Sequence, residues 1–309
     1  RQKAQAEIKR DHLFCNMREE KILFHGAVAL PVDSSRPYGY AGLNPSNRST
    51  DFPGGGTTKI LEDHVLVVSL RDGTIEAIGR ASEPWAERML RSAPTDDGPD
   101  DVRRVELGPL DVLCPGFVDC HIHAPQFSYS GTATDRPLMG PEGWLERYTF
   151  PAELSLGRDL GRAKLVYGSV VDRTLRCGTT CACYFATVQV EPTKILVDAM
   201  AERGQRGLVG KVCMDRNGPA DYVESAEENV AGTREVIEYV LSHTSGGDGG
   251  TIQPVITPRF VPSCTPALLA ALGALKKEYD GRLGGNGIHV QSHISESDDE
   301  VAYARAIDL

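Results

Sequence analysis

Two histidines one residue apart, His121 and His123, close the apolar run Phe117-Val-Asp-Cys-His-Ile-His. Alternate side chains on a β-strand share a face, so both imidazoles point the same way, about 7 Å apart along the strand. Modest bending at the strand end lets them share one ion, and neutral imidazole is a good ligand for Zn2+. The competing reading is a pair of strand histidines bonded to core groups or water. Position supports the metal. The apolar residues before the pair read as a buried strand, and the pair falls at its C-terminal end, where parallel α/β folds gather their chemistry.

His293, in Gln291-Ser-His-Ile-Ser-Glu296, closes another apolar run and is a natural third ligand. Glu296 follows in the next loop, where a carboxylate suits general acid/base work, taking a proton from water and passing it on. Its alternative role is a helix-capping acid. Arg259-Phe260 ends a further run. A guanidinium fork beside an aromatic face suits a planar, carbonyl-bearing heterocycle, and a plain ion pair with a core phenylalanine is the alternative. Gln126, three residues past the histidine pair, carries an amide that donates and accepts, as a purine edge requires. His289 lies deeper on the strand of His293 and reads as a core histidine. Cys177, Cys181 and Cys183 read as core thiols, not a metal cluster.

These residues need a frame that brings strand ends together. From residue 111, short apolar runs alternate with helical segments. The runs are 112–123, 179–187, 208–215, 252–260 and 288–295. Thr193 before a helix ended by Gly204, the capping boxes Ser225–Glu228 and Ser297–Glu300, and Thr265-Pro266 mark helix ends. Strand and helix in alternation imply an α/β fold with a parallel sheet. Five such units are visible, against eight in a (β/α)8 barrel, and a smaller doubly wound sheet would need only five, so spacing alone does not choose. Residues 1–110 read as a separate β-strand segment, with strands at 21–30 and 64–79 and a turn at Asp72-Gly73. The Pro-, Gly- and Ser-rich stretch 31–58 predicts a long mobile loop, and 91–104 a second loop.

The 309 residues carry a net charge of −10. That argues against a nucleic-acid groove, which needs a basic footprint, and against an anionic membrane surface. No apolar run nears the roughly 18 residues of a membrane span. The eight cysteines sit mostly in apolar runs and read as buried thiols of a reducing compartment, which places the protein in the cytoplasm. The start at Arg1 suggests processing or a fragment, and the sequon at Asn47 reads as chance.

The segment Pro115-Gly-Phe-Val-Asp-Cys-His-Ile-His-Ala-Pro-Gln126 resembles the first-strand signature of the amidohydrolase superfamily. Taken with Trp144–Glu153, Arg173–Thr187, Gly204–Asn217, Ile256–Cys264 and Gln291–Glu296, it is similar to the guanine deaminase family within that superfamily. The resemblance implies that His121, His123 and His293 ligate zinc. It implies that His123, Gln126, Arg259, Phe260, His293 and Glu296 line the guanine site, and that Glu296 moves protons. The implied reaction is hydrolysis of guanine to xanthine and ammonia. The implied fold is a TIM-type barrel beside a small β-domain, commonly in a homodimer. The family's remaining metal ligand and a further histidine come from later strands, so the expectation is a C-terminally truncated chain that is inactive alone. Two other readings stay open: hydrolysis of another amino- or chloro-heterocycle, and a non-catalytic relative that binds partners.

Overall fold

The computed structural model describes residues 21–32, 57–71, 73–91, 102–243, 251–284 and 287–307. The chain divides into two compact units, residues 1–115 and 116–309.

In the first unit, β1 (Lys21–Val32) pairs antiparallel with β2 (Thr57–Ser69), which pairs with β3 (Ile75–Arg80). On its other side β1 runs parallel to β4 (Val102–Glu106) and β5 (Val112–Leu113). Alternate residues Leu23, Val65 and Val67 turn to one face and pack with Ala86 of helix α1 (Pro84–Arg91). A bulge after Gly26 bends β1. Gly26 has φ +144°, and an added Cβ would stand 2.6 Å from Leu107 Cβ, so only glycine fits. The turn glycine Gly73 has φ +71°, while Asp72 lies outside the described residues.

Three features of this unit differ from the sequence reading. Helix α1 and strand β4 flank a stretch expected to be loop, and residues 92–101 between them lie outside the described residues. Strands β1 and β2 also reach into the expected long loop, pairing Pro31 with Thr58. Residues 33–56, including the sequon, lie outside the described residues. The run 112–123 is not one strand. Val112–Leu113 pairs with β1, and a new strand begins at Phe117 in the second unit. Pro115 offers no backbone N–H to a ladder, which suits a break there.

The second unit holds a parallel sheet with strands in chain order: β6 (Phe117–His123), β7 (Thr179–Phe185), β8 (Arg206–Gly210), β10 (Ile252–Pro258) and β11 (His289–Val290). The short β9 (Val212–Cys213) pairs with β10. Helices α2 (Phe150–Arg158) and α3 (Leu160–Arg176) link β6 to β7. Helices α4 (Val190–Arg203), α5 (Ala226–His243), α6 (Pro266–Leu283) and α7 (Asp298–Ala306) follow the later strands. Val170, Leu196 and Met200 from the helices meet Ala182, Tyr184 and Val209 from the strands in the main core. Ile237, Ile256, Leu268 and Leu272 form a second core cluster.

The helix ends largely follow the sequence signals. Gly204 takes φ +69° after α4. Ser225 and Glu228 cap each other's backbone N–H, at 2.9 and 3.2 Å. Thr265 Oγ1 accepts from Leu268 N at 3.2 Å. Thr193 is not a cap. The helix starts at Val190, and the Thr193 hydroxyl donates to Gln189 O at 2.8 Å inside the first turn.

Burial corrects the sequence reading more than secondary structure does. β6 is an edge strand, and Phe117 and Val118 are 60% and 65% exposed instead of buried. His289, expected in the core, is exposed on β11 at the opposite edge. An edge strand has a neighbour on one side only, and hydrophobic pattern does not reveal which strands are edges. Cys114, Cys120 and Cys177 are exposed, Cys181 and Cys183 are half-buried, and only Cys213 and Cys264 are buried among the described cysteines, all of which are free thiols.

Candidate active site

The ends of β6, β7, β10 and β11 converge on a group of rings. A register shift between Asp119 and Ile122 places extra chain in β6 opposite β7, just where the histidine pair begins. Such a bulge re-aims side chains. His121 N donates to Asp119 Oδ1 at 3.0 Å across it. The His121 and His123 rings are 5.2 Å apart, closer than a regular strand would set them. His293 comes in from beyond β11, its backbone bridged to Phe260 in parallel register. Its ring is 4.7 Å from that of His121 and 4.9 Å from that of His123. One nitrogen from each of the three rings lies within 4.8 Å of the other two. Buried Phe185, at the end of β7, is their common floor, with its ring 4.6–4.7 Å from all three.

Hydrogen bonding fixes the His293 tautomer. Its Nδ1–H donates to the Arg259 carbonyl at 2.7 Å, and that oxygen has no proton to give. Burial, with Arg259 and His121 adding, pushes the His293 pKa down to about 4, against the raising effect of that hydrogen bond. The ring is therefore neutral at pH 7, and Nε2 presents a lone pair. That lone pair faces His123 Nε2 at 2.8 Å. Burial also holds His123 well below its ordinary value, with Arg259, His293 and His121 adding to the effect. His123 Nδ1 is buried with no partner among the described residues. If His123 carries its proton on Nδ1, the proton has no acceptor and two lone pairs face each other. If it carries it on Nε2, a buried lone pair is orphaned. A shared cation turns both facing lone pairs into ligands, so this donor set fits a divalent metal. His121 is more exposed, and burial lowers its pKa against the opposing charge of Asp119.

Arg259 is buried directly behind the histidines. Its Nη1 donates to Glu153 Oε2 at 2.9 Å and its Nη2 to Glu153 Oε1 at 3.4 Å. Burial opposes the guanidinium charge, but Glu153 and Tyr222 outweigh it and raise the Arg259 pKa. The guanidinium carbon sits 5.1 Å from the centre of the Phe150 ring. Phe150 and Glu153 are three residues apart on α2, hence on one face. A single π-helical turn, Leu145–Thr149, precedes them. The Tyr222 hydroxyl donates to Glu153 Oε2 and accepts from Val188 N at 3.3 Å. The ion pair expected as one alternative for Arg259 exists, and three N–H bonds of the fork have no acceptor among the described residues. Phe260 is buried, edge-on to His293 at 6.3 Å.

Glu296 follows Ser295, which takes the left-handed φ of 53°. Its carboxyl pKa is raised by burial, with Glu300 adding and Arg259 opposing. Capping falls to its neighbours. Ser297 Oγ accepts from Glu300 N at 3.2 Å, and Glu300 Oε2 accepts from Glu296 N at 2.6 Å. The Glu296 carboxylate is left for other work. Gln126 lies half-buried on a 3-10 turn after β6, and its amide makes no hydrogen bond among the described residues. Sequence reasoning missed Phe150, Glu153, Phe185 and Tyr222. For the first two, the signals available were their helical spacing and their place in the segment Trp144–Glu153 that carries the resemblance.

The Amidohydrolase family model matches residues 112–307. The chain is 39% identical to the guanine deaminase of Dictyostelium discoideum over 254 residues, 82% of this chain and 53% of that protein. It is 34% identical over 250 residues to the guanine deaminase of Escherichia coli (strain K12), covering 81% of this chain and 50% of that one. It spans about half the length of the curated relatives it matches. The structure of guanine deaminase from C. acetobutylicum with guanine bound superposes with a TM-score of 0.68 at 27% identity. That match covers 93% of this chain and 56% of the other. A triazine hydrolase at 17% identity and TM-score 0.66 shares the fold. The strand-end histidines lie inside the matched region, and the chain belongs to the amidohydrolase family.

Proposed function

We propose that the protein is a zinc-dependent guanine deaminase, which hydrolyses guanine to xanthine and ammonia. One observation carries the reading: the Nε2 atoms of His123 and His293 face each other at 2.8 Å with His121 beside them, an arrangement that leaves a buried imidazole nitrogen unsatisfied in either His123 tautomer. Zinc suits an all-nitrogen donor set, and the relatives named above are guanine deaminases. The sheet is taken as part of a (β/α)8 barrel, whose further strands would cover the exposed Phe117, Val118, Val290 and Ile294 at its two edges. The two units correspond to a small β-domain and that barrel.

In this reading His121, His123 and His293 hold the ion, which when bound acidifies water and polarises the reacting ring. Glu296 takes the proton of the attacking water and returns it to the departing amine. Its raised pKa brings it nearer to the working pH, as that exchange requires. The open N–H bonds of Arg259 donate to the ring carbonyl, Phe260 supplies an apolar wall, and the free Gln126 amide meets the purine edge. The resemblance extends the reading to a cytoplasmic homodimer in purine catabolism.

The test is to load the full-length protein with zinc and follow guanine by chromatography. Formation of equimolar xanthine and ammonia is the expected result. A zinc-loaded, folded protein that leaves guanine intact would overturn the proposal.

A further inference from the structure

Glu153 belongs to no strand end, yet it is wholly buried and both of its oxygens are occupied by groups of the site. We propose that Glu153, held by Tyr222, is a positioning residue that aims the Arg259 guanidinium and thereby sets selection for purines bearing a ring carbonyl. This rests on the guanine deaminase reading above and names the origin of its specificity.

A guanidinium is a rigid planar fork, so fixing two of its N–H directions fixes the other three. Glu153 takes one bond from each terminal nitrogen, while the guanidinium carbon sits over the Phe150 ring. The carboxylate is itself restrained. It is carried on α2, its Oε2 receives the Tyr222 hydroxyl, and that hydroxyl is tied to Val188 N just beyond β7. The restraint thus links α2, the chain after β7 and the loop before α5 to the end of β10. The same arginine's carbonyl fixes the His293 tautomer, so orientation of the arginine backbone and of its side chain serve the two halves of the site. A counter-charge alone would need only a single contact to a buried carboxylate. Two-point contact, an aromatic cover and a further hydrogen bond hold direction as well as charge.

The experiment compares guanine with 2-aminopurine, which keeps the exocyclic amine and lacks the ring oxygen, in the full-length zinc protein. The expected result for Glu153→Gln is a rise of at least tenfold in KM for guanine. KM for 2-aminopurine should change less than twofold, with zinc content unchanged. Tyr222→Phe keeps the charge and removes one restraint, so about a threefold fall in the guanine preference is expected from one lost hydrogen bond. If Glu153→Gln does not fold, Tyr222→Phe alone decides. A drop in thermal midpoint with the guanine to 2-aminopurine ratio unchanged in the folded variants would overturn the proposal, leaving Glu153 a structural counter-ion. Failure of the unsubstituted protein to act on guanine would instead overturn the deaminase reading itself.

Discussion

His25 in the first unit and His293 in the second show how environment separates an ordinary histidine from a reactive one. His25 stands on β1 between two carboxylates, Glu106 Oε2 at 2.8 Å and Asp63 Oδ1 at 3.2 Å. Burial works against its charge, but the hydrogen bonds to Asp63 and Glu106 raise its pKa. His293 has no carboxylate partner among the described residues, and burial sends its pKa down to about 4. The first histidine is built to hold a proton and the second to offer a lone pair. The arginines divide in the same way. Arg104 reaches exposed Glu106 and the carbonyls at the end of α1, whereas Arg259 is locked to a wholly buried Glu153. Residue type is shared between the units; solvent, partner and depth decide the role.

That contrast can be broken by substitution. Glu296→Gln is expected to lower kcat on guanine by about 10²–10⁴-fold, the usual worth of a general acid/base, with zinc content unchanged. The counterpart Asp63→Asn, beside His25, is expected to leave kcat within twofold. Equal losses would remove the distinction. Next, Glu153→Ala leaves a buried guanidinium unpaired and is expected to cost about 3–5 kcal/mol in denaturant unfolding of the second unit. Glu106→Ala in the first unit should cost about 1 kcal/mol or less, since its pairs face solvent.

The pH response sharpens the comparison further. His293 is depressed, so in metal-free protein the unfolded chain binds more protons below its ordinary value of 6.5, and the second unit weakens as pH falls from 6.5 toward about 4. His25 is raised, so its contribution is fully present below pH 6.5 and is lost as pH climbs through its elevated value. The chain has two tryptophans, Trp85 in the first unit and Trp144 in the second. Single-tryptophan variants therefore report each unit separately by fluorescence. Acid should loosen the Trp144 unit before the Trp85 unit, and added zinc should close the gap. The reverse order would contradict the assignment of environments. The smallest effect is expected for His25→Ala, at about 1 kcal/mol or less near pH 6.

Much of the ring cluster was legible because its histidines sit where an apolar run meets a loop. His121, His123 and His293 all carry that mark, and Arg259 shares it. The bulge that brings His121 toward His123 was not legible, since it depends on the register against β7. Glu153 and Tyr222 were hidden for a different reason. Glu153 meets Arg259 across 106 residues and Tyr222 across 69, and nothing local in a sequence records such contacts. In the fold, the parallel sheet followed from alternation, while α1 and β4 were lost among polar residues. Sheet edges misled the burial reading at Phe117, Val118 and His289, because exposure there depends on which neighbours a strand has.

The central claim is that three histidines hold one divalent ion, and zinc K-edge absorption on the full-length protein tests it most directly. The account predicts one zinc per chain with imidazole nitrogens at about 2.0–2.1 Å, and loss of that signal in His293→Ala and His123→Ala. A fully active protein whose metal content and absorption spectrum are the same with and without those two side chains would contradict it.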